Sequence, residues 1–257
     1  MYSRIHHCSS RTASVLRLLA CLTVAGVVGA PFADASTFVV FKLGQQATST
    51  NEISGDEYTF WANNGGFNEG NATAASVSND TLDYKDSWVD SAINWSSVIS
   101  VNVGMYVRGV EQAYINFTPG SDKLTFFTSG NITSTSYTDL STLFTGNFFA
   151  EAGDGAYNRR WFVNQNYGGC GSDTGWFVVE DATSSRPCSW ETDRTVNSRD
   201  FLYATGNTQQ NWNSVDVGTA EVFAITVTTA TPEPATFGFI GAALVCLSSV
   251  SRKRRRS

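Results

Sequence analysis

The residues best suited to chemistry crowd into one stretch, Trp161 to Trp212. Asn164-Gln165-Asn166-Tyr167-Gly168-Gly169-Cys170-Gly171 is polar and glycine-rich, and Cys188-Ser189-Trp190 follows it. A bond between Cys170 and Cys188 would tie these pieces into one fixed loop. With Tyr167, Trp190 and Trp212 nearby, such a loop could offer aromatic faces on which sugar rings stack, with Asn and Asp supplying hydrogen bonds. The other reading of the same rings is that they fill a core, the usual place for large aromatics.

Carboxylates are the second candidate. Asp80, Asp83, Asp86 and Asp90 cluster, and Glu180-Asp181 and Glu191-x-Asp193 flank the aromatic stretch. Oxygen-rich loops can hold Ca²⁺, but no spacing here follows a calcium loop, and solvated surface carboxylates are the simpler reading. Glycoside hydrolysis needs only a pair of carboxylates about 5–10 Å apart, so a secreted carbohydrate-active enzyme stands as the alternative to a binding or structural protein. His6 and His7 are the only histidines, and both lie in the N-terminal leader. The rest of the chain therefore has no Ser-His-Asp triad, Cys-His pair or His-ligated metal. Catalytic residues, metal ligands and cofactors are assigned to none.

The elements that must position these residues read as strands. Val101–Arg108 alternates apolar and mostly polar residues, as a half-buried strand does, and Gln112–Phe117 alternates again after a turn at 108–111. Pro119-Gly120-Ser121-Asp122 is a turn, and Lys123–Phe127 completes a predicted three-stranded meander. Further strands are predicted at Phe38–Leu43, Tyr58–Ala62, Asn147–Ala150, Trp161–Asn164, Trp176–Val179, Phe201–Ala204 and Val222–Thr228. In the last of these Phe223, Ile225 and Val227 would face inward. Ser87 and Asp90 could cap a short helix before Ile93 and Trp95, and Tyr137–Leu143 could make one helical turn. Short connections imply antiparallel pairing, and the strand count favours a β-sandwich, jelly-roll-like, built from residues 36–230.

Both ends of the chain point to export. Residues 1–35 carry a basic region (Arg4, Arg11, Arg17), an apolar run from Leu18 to Ala30 and a small-x-small site at Ala33-Asp34-Ala35, the pattern of a signal peptide; Val28-Gly29-Ala30 is an alternative cleavage site. The secretion translocon is thus an expected partner. Between Ser36 and Thr231 there are 9 basic and 21 acidic residues, a net of −12. A body so acidic lacks the basic footprint that nucleic acid requires. Cys8 and Cys21 fall in the leader and Cys246 in a C-terminal apolar run, which leaves Cys170 and Cys188 to form a disulfide in an oxidising envelope.

Residues 231–257 form a three-part tail: Pro232-Glu233-Pro234, an uncharged apolar run over 235–251, and Arg252-Lys253-Arg254-Arg255-Arg256. The prolines hold the first part extended, and the basic end stays cytoplasmic under the positive-inside rule. As a helix the apolar run would reach about 26 Å against a hydrocarbon core of about 30 Å, the short end for a permanent anchor. In the order of its parts this tail resembles the PEP-CTERM sorting signal of bacterial exported proteins. The resemblance covers about a tenth of the chain. It implies an exosortase-type sorting enzyme as partner, transient residence in the inner membrane on a single transmembrane helix, cleavage near the motif, and a final place at the cell surface or outside it. It also implies a setting rich in extracellular polysaccharide. The expected function is a non-enzymatic surface or matrix protein, either polysaccharide-contacting or purely structural.

Overall fold

The alternating segments become two antiparallel sheets. The computed structural model describes residues 35–48, 51–53, 55–180, 187–192 and 199–230. The first sheet holds β1 (Ser36–Gly44), β2 (Tyr84–Lys85), β3 (Val98–Val107), β4 (Val110–Phe117), β5 (Ile132–Thr135) and the last strand, β12 (Val222–Thr229), in the order β2-β1-β12-β3-β4-β5. The second holds β6 (Phe148–Ala150), β7 (Arg159–Asn166), β8 (Thr174–Glu180), β9 (Asp200–Ala204) and β11 (Val217–Ala220) in the order β11-β9-β8-β7-β6, and β10 (Gln210–Asn211) also pairs with β8. Each sheet is filled by a block of sequence, with β12 alone returning to the first. A jelly roll would instead shuttle successive strands between sheets, so the jelly-roll expectation does not describe this topology. Residues 35–231 make one compact unit.

The inward face of the first sheet is apolar, as its period of two dictates. Phe223, Ile225 and Val227 point into the core, as expected, beside Phe41, Leu43, Val101, Val103, Met105, Ile115 and Phe117. Trp161 of β7 closes the gap between the sheets, its ring 5.4 Å from Phe41 and 4.8 Å from Phe223. Phe223 also meets Phe177 and Phe201 of the second sheet.

A bulge in β7 makes this contact possible. Arg160 pairs with Val179 but Val163 pairs with Phe177, so two residues of β7 oppose one of β8. Trp161 takes φ of 41° at this point. A left-handed tryptophan costs about 1–3 kcal/mol. In return the bulge changes the phase of the strand: Trp161 joins the central core, and Phe162 turns to the opposite face.

The structure differs from the sequence reading at several elements. Tyr58–Ala62 is not a strand but lies in the helix Glu57–Ala62, because Asp56 caps it by accepting from Thr59 N at 3.1 Å. Lys123–Phe127 is not the third strand of the meander; β5 is. Asp122 Oδ1 accepts from Leu124 N at 2.9 Å and Thr125 folds back on Asp122 O, so side chains satisfy a turn in place of a ladder. The helix expected after Ser87 is a 3-10 turn, Ser87–Asp90, capped by Asp86, followed by the helix Ala92–Trp95, capped by Ser91. Tyr137–Leu143 forms no helical turn. The expected leader at 1–35 (all but residue 35) and the expected sorting tail at 231–257 lie outside the described residues, among which no helix is long and apolar enough to cross a membrane.

One buried ion cluster ties the loops to the first sheet. Arg199 Nη1 reaches both oxygens of Asp83 at 2.8 and 2.7 Å, and its Nη2 donates to Ile53 O at 2.7 Å. Arg199 Nε stands 2.6 Å from Glu57 Oε1, an ion pair rather than an aligned hydrogen bond. Asp83 also accepts from the backbone of Gly44 and Ile53. Burial, with added repulsion from Asp83 and Asp56, pushes the Glu57 carboxyl up to about 7 in spite of Arg199. A carboxyl raised on folding binds more protons in the native state. Its contribution is therefore complete below its ordinary value of 4.5 and is lost as pH rises through about 7. Urea unfolding should show stability falling between pH 5 and pH 8. Glu57→Gln should reduce that fall by on the order of 2 kcal/mol. An unchanged pH slope in the variant would contradict this assignment.

Candidate functional site

The second sheet is buried on both faces, which is why its middle strands carry short unbroken apolar runs, at 161–163 in β7, 176–179 in β8 and 201–204 in β9. Its outer face carries a small second core of Phe162, Val178, Leu202 and Val217, roofed by Cys188, Trp190 and Trp212. This is where the structure brings the aromatic candidates together. The expected bond is present between Cys170 and Cys188, which are 18 residues apart.

Arg159 is the post on which this roof hangs. Its Nε donates to Glu191 Oε1 at 2.7 Å, and Glu191 Oε2 accepts from Cys188 N at 2.7 Å. Around the guanidinium stand Trp190 at 4.7 Å, Tyr157 at 5.0 Å, Tyr167 at 5.2 Å and Phe162 at 5.9 Å. A delocalised, weakly hydrated cation suits such rings better than an ammonium would. Burial works against its charge, but the hydrogen bond and charge of Glu191 outweigh it and hold Arg159 above its usual range.

Trp190 and Trp212 stack on each other at 5.6 Å with exposures of only 2% and 0%. Trp212 Nε1 donates to Asn164 Oδ1 at 2.9 Å, and Gly175 is required beneath it, since a Cβ there would stand 2.6 Å from the indole. Rings so enclosed give a sugar no open face, and their role is to anchor the loop. Tyr167 alone of the three is half-buried; burial and its hydrogen bond to Asp154 keep its phenol protonated far into the alkaline range.

Three of the four clustered carboxylates are absorbed into structure. Asp83 holds Arg199, Asp86 caps the 3-10 turn, and Asp90 accepts from Lys123 Nζ at 2.5 Å and from Gly65 N at 2.6 Å. Lys85 stands 3.3 Å from Asp90 and is fully buried, which lowers its ammonium to about 8. Among the described residues no group of three or more His, Cys, Asp or Glu is arranged to hold a metal ion.

A second polar array escaped the sequence reading. On the outward face of the first sheet, Asn102 Nδ2 donates to Asn116 Oδ1 at 3.0 Å and Asn116 Nδ2 donates to Ser134 Oγ at 2.9 Å, a ladder across β3, β4 and β5. Its signal is the polar half of the alternation in Val101–Arg108 and Gln112–Phe117. No family model, curated protein or solved structure matches the chain.

The roof depends on Arg159 and on the disulfide. Arg159→Ala would leave Glu191 buried without its cation, so the variant should lose roughly 3–5 kcal/mol in denaturant unfolding. Cys170→Ser with Cys188→Ser should lose about 3 kcal/mol, the entropy of a loop of this size. Losses below about 1 kcal/mol in both would show that the roof is not integral to the body.

Proposed function

We propose that the protein is an exported, non-enzymatic cell-surface or extracellular-matrix component, sorted by its tail and built to contact polysaccharide. The observation that carries this reading is the order Pro232-Glu233-Pro234, apolar run 235–251, Arg252–Arg256, placed directly after the body. On this reading the run 235–251 is a transmembrane helix that holds the protein in the inner membrane until an exosortase-type enzyme cuts near the motif. The disulfide supports an oxidising destination. The acidic body keeps the protein soluble outside the cell and unsuited to nucleic acid.

Motif and helix have separable tasks, which gives the test. Pro232→Ala, Glu233→Ala and Pro234→Ala together leave the helix and its charges intact. In a host with an exosortase, the native protein should lose its tail and appear outside, while the triple variant stays uncut in the inner membrane. Fractionation with mass spectrometry of the C-terminus reads this out. Cutting and release of the variant at the native rate would make the motif incidental and the tail an ordinary anchor.

A further inference from the structure

The outward face of the first sheet differs from the rest of this acidic body. Alternation places Thr226 and Thr228 of β12, Ser100, Asn102 and Tyr106 of β3, Tyr114 and Asn116 of β4 and Ser134 of β5 on it, in register across four strands. Glu111, at one end of β4, and Lys42 of β1, fully buried opposite Ala224 with its ammonium on Asn79 O, are the charged side chains that the register puts on the face. Hydroxyls, amides and phenols are therefore displayed on a neutral field within a body of net charge −12.

Two features make the face a built surface. The first is the amide ladder, in which Asn102, Asn116 and Ser134 fix one another. The ladder and Tyr106 occupy one donor and one acceptor of Asn102, and the ladder likewise one of each on Asn116, while an amide has more to offer. The second is Tyr106. Its ring lies down on Gly104: a Cβ at Gly104 would stand 2.8 Å from both Cε2 and Oη of the tyrosine. The phenol is pinned by Glu111 Oε1 at 2.9 Å and reaches Asn102 Oδ1 at 3.5 Å. The ring is half-buried, so part of it remains for a ligand, and pinning removes the entropy cost of ordering it.

The geometry points to this face as a docking surface for an uncharged polysaccharide, with Tyr106 as the stacking platform and Asn102, Asn116 and Ser134 as hydrogen-bonding partners for ring hydroxyls. The inference rests on the polysaccharide-contacting reading above and gives it a place and a ligand charge. Electrostatics decides the class. A polyanion approaching an acidic body meets repulsion with no exposed cation on the strands of this face to offset it, Lys42 being buried, whereas a neutral polyol matches a surface of hydroxyls and amides. Apolar ring edges of a pyranose match the exposed part of the tyrosine ring. The enclosed Trp190 and Trp212 take no part.

The test uses the full chain in zwitterionic micelles, free of sugar-headed detergent. Retardation is measured by affinity electrophoresis in dextran and galactomannan and by depletion onto cellulose and curdlan, with alginate as the acidic comparison. At least one neutral polymer should retain the protein and alginate should not. Tyr106→Ala should weaken retention at least tenfold and Asn116→Ala several-fold, while Tyr106→Phe keeps most of it. Near-UV circular dichroism and the intact disulfide report that each variant is folded, and Asn116→Asp, which adds a charge at an accessible position, provides a second disabling change. Retention of Tyr106→Ala and Asn116→Asp at native strength would overturn the placement on this face. Retention by alginate alone would overturn the neutral-ligand inference and leave the polysaccharide reading standing. Retention by none of the polymers would overturn both.

Discussion

β12, the last strand of the body, is paired on both sides, to β1 and to β3. Everything in the first sheet depends on it. Without β12 the N-terminal strand has no neighbour but the two-residue β2, and the sheet splits into β2-β1 and β3-β4-β5. Its inward residues, Phe223, Ile225 and Val227, are also the floor against which Trp161, Phe177 and Phe201 of the second sheet pack. The contact closes a long chain, since Thr37 meets Thr228 across 191 residues. Entropy of that order must be met before the pairing rewards it, so the sandwich cannot be complete until the whole body is available. On the proposed export route this order of events suits folding on the far side of the membrane, with Pro232-Glu233-Pro234 following β12 by only a few residues.

A second constraint is the bulge at Trp161. A regular β7 would alternate strictly, and its large aromatics would fall on faces set by parity alone. The extra residue lets consecutive side chains serve two cores: Trp161 goes inward between the sheets, and Phe162 goes outward to Phe148 and Tyr167. The second core lies beneath the disulfide-tied roof, so strain at one residue supports the burial of both faces of the second sheet. The two sheets present different exteriors: a second core and its roof cover the outer side of the second, and on the first Asn102, Tyr106 and Asn116 stay half-buried.

The legible parts of the fold were those governed by period two. Val101–Arg108, Gln112–Phe117 and Val222–Thr228 alternate because one face is buried and the other is wet, and the structure pairs them as adjacent strands. The disulfide was legible by elimination. Less legible was anything decided by a side chain reaching the backbone. Tyr58–Ala62 has the aromatic content of a strand, but the single cap from Asp56 makes it helical. Buried charges were hidden for a related reason: Lys42 and Arg199 read as surface residues until their partners Asn79 and Asp83, 37 and 116 residues away, are placed. The aromatic platform expected at Tyr167, Trp190 and Trp212 rested on the right residues being together, which they are. Their exposure depended on Arg159 and Glu191, whose pairing spans 32 residues and has no local signal.

The central claim is that the last strand holds the sandwich together as one cooperative unit. Native-state hydrogen exchange on the protein, followed amide by amide with increasing denaturant, reads this out. The account predicts that amides of β12 and of its neighbour β3 exchange only through global unfolding, while those of the edge strand β5 open at lower free energy. Exchange of β12 through a smaller opening, with β3 and β4 still protected, would contradict it and make the strand an appendage to a sheet that stands without it.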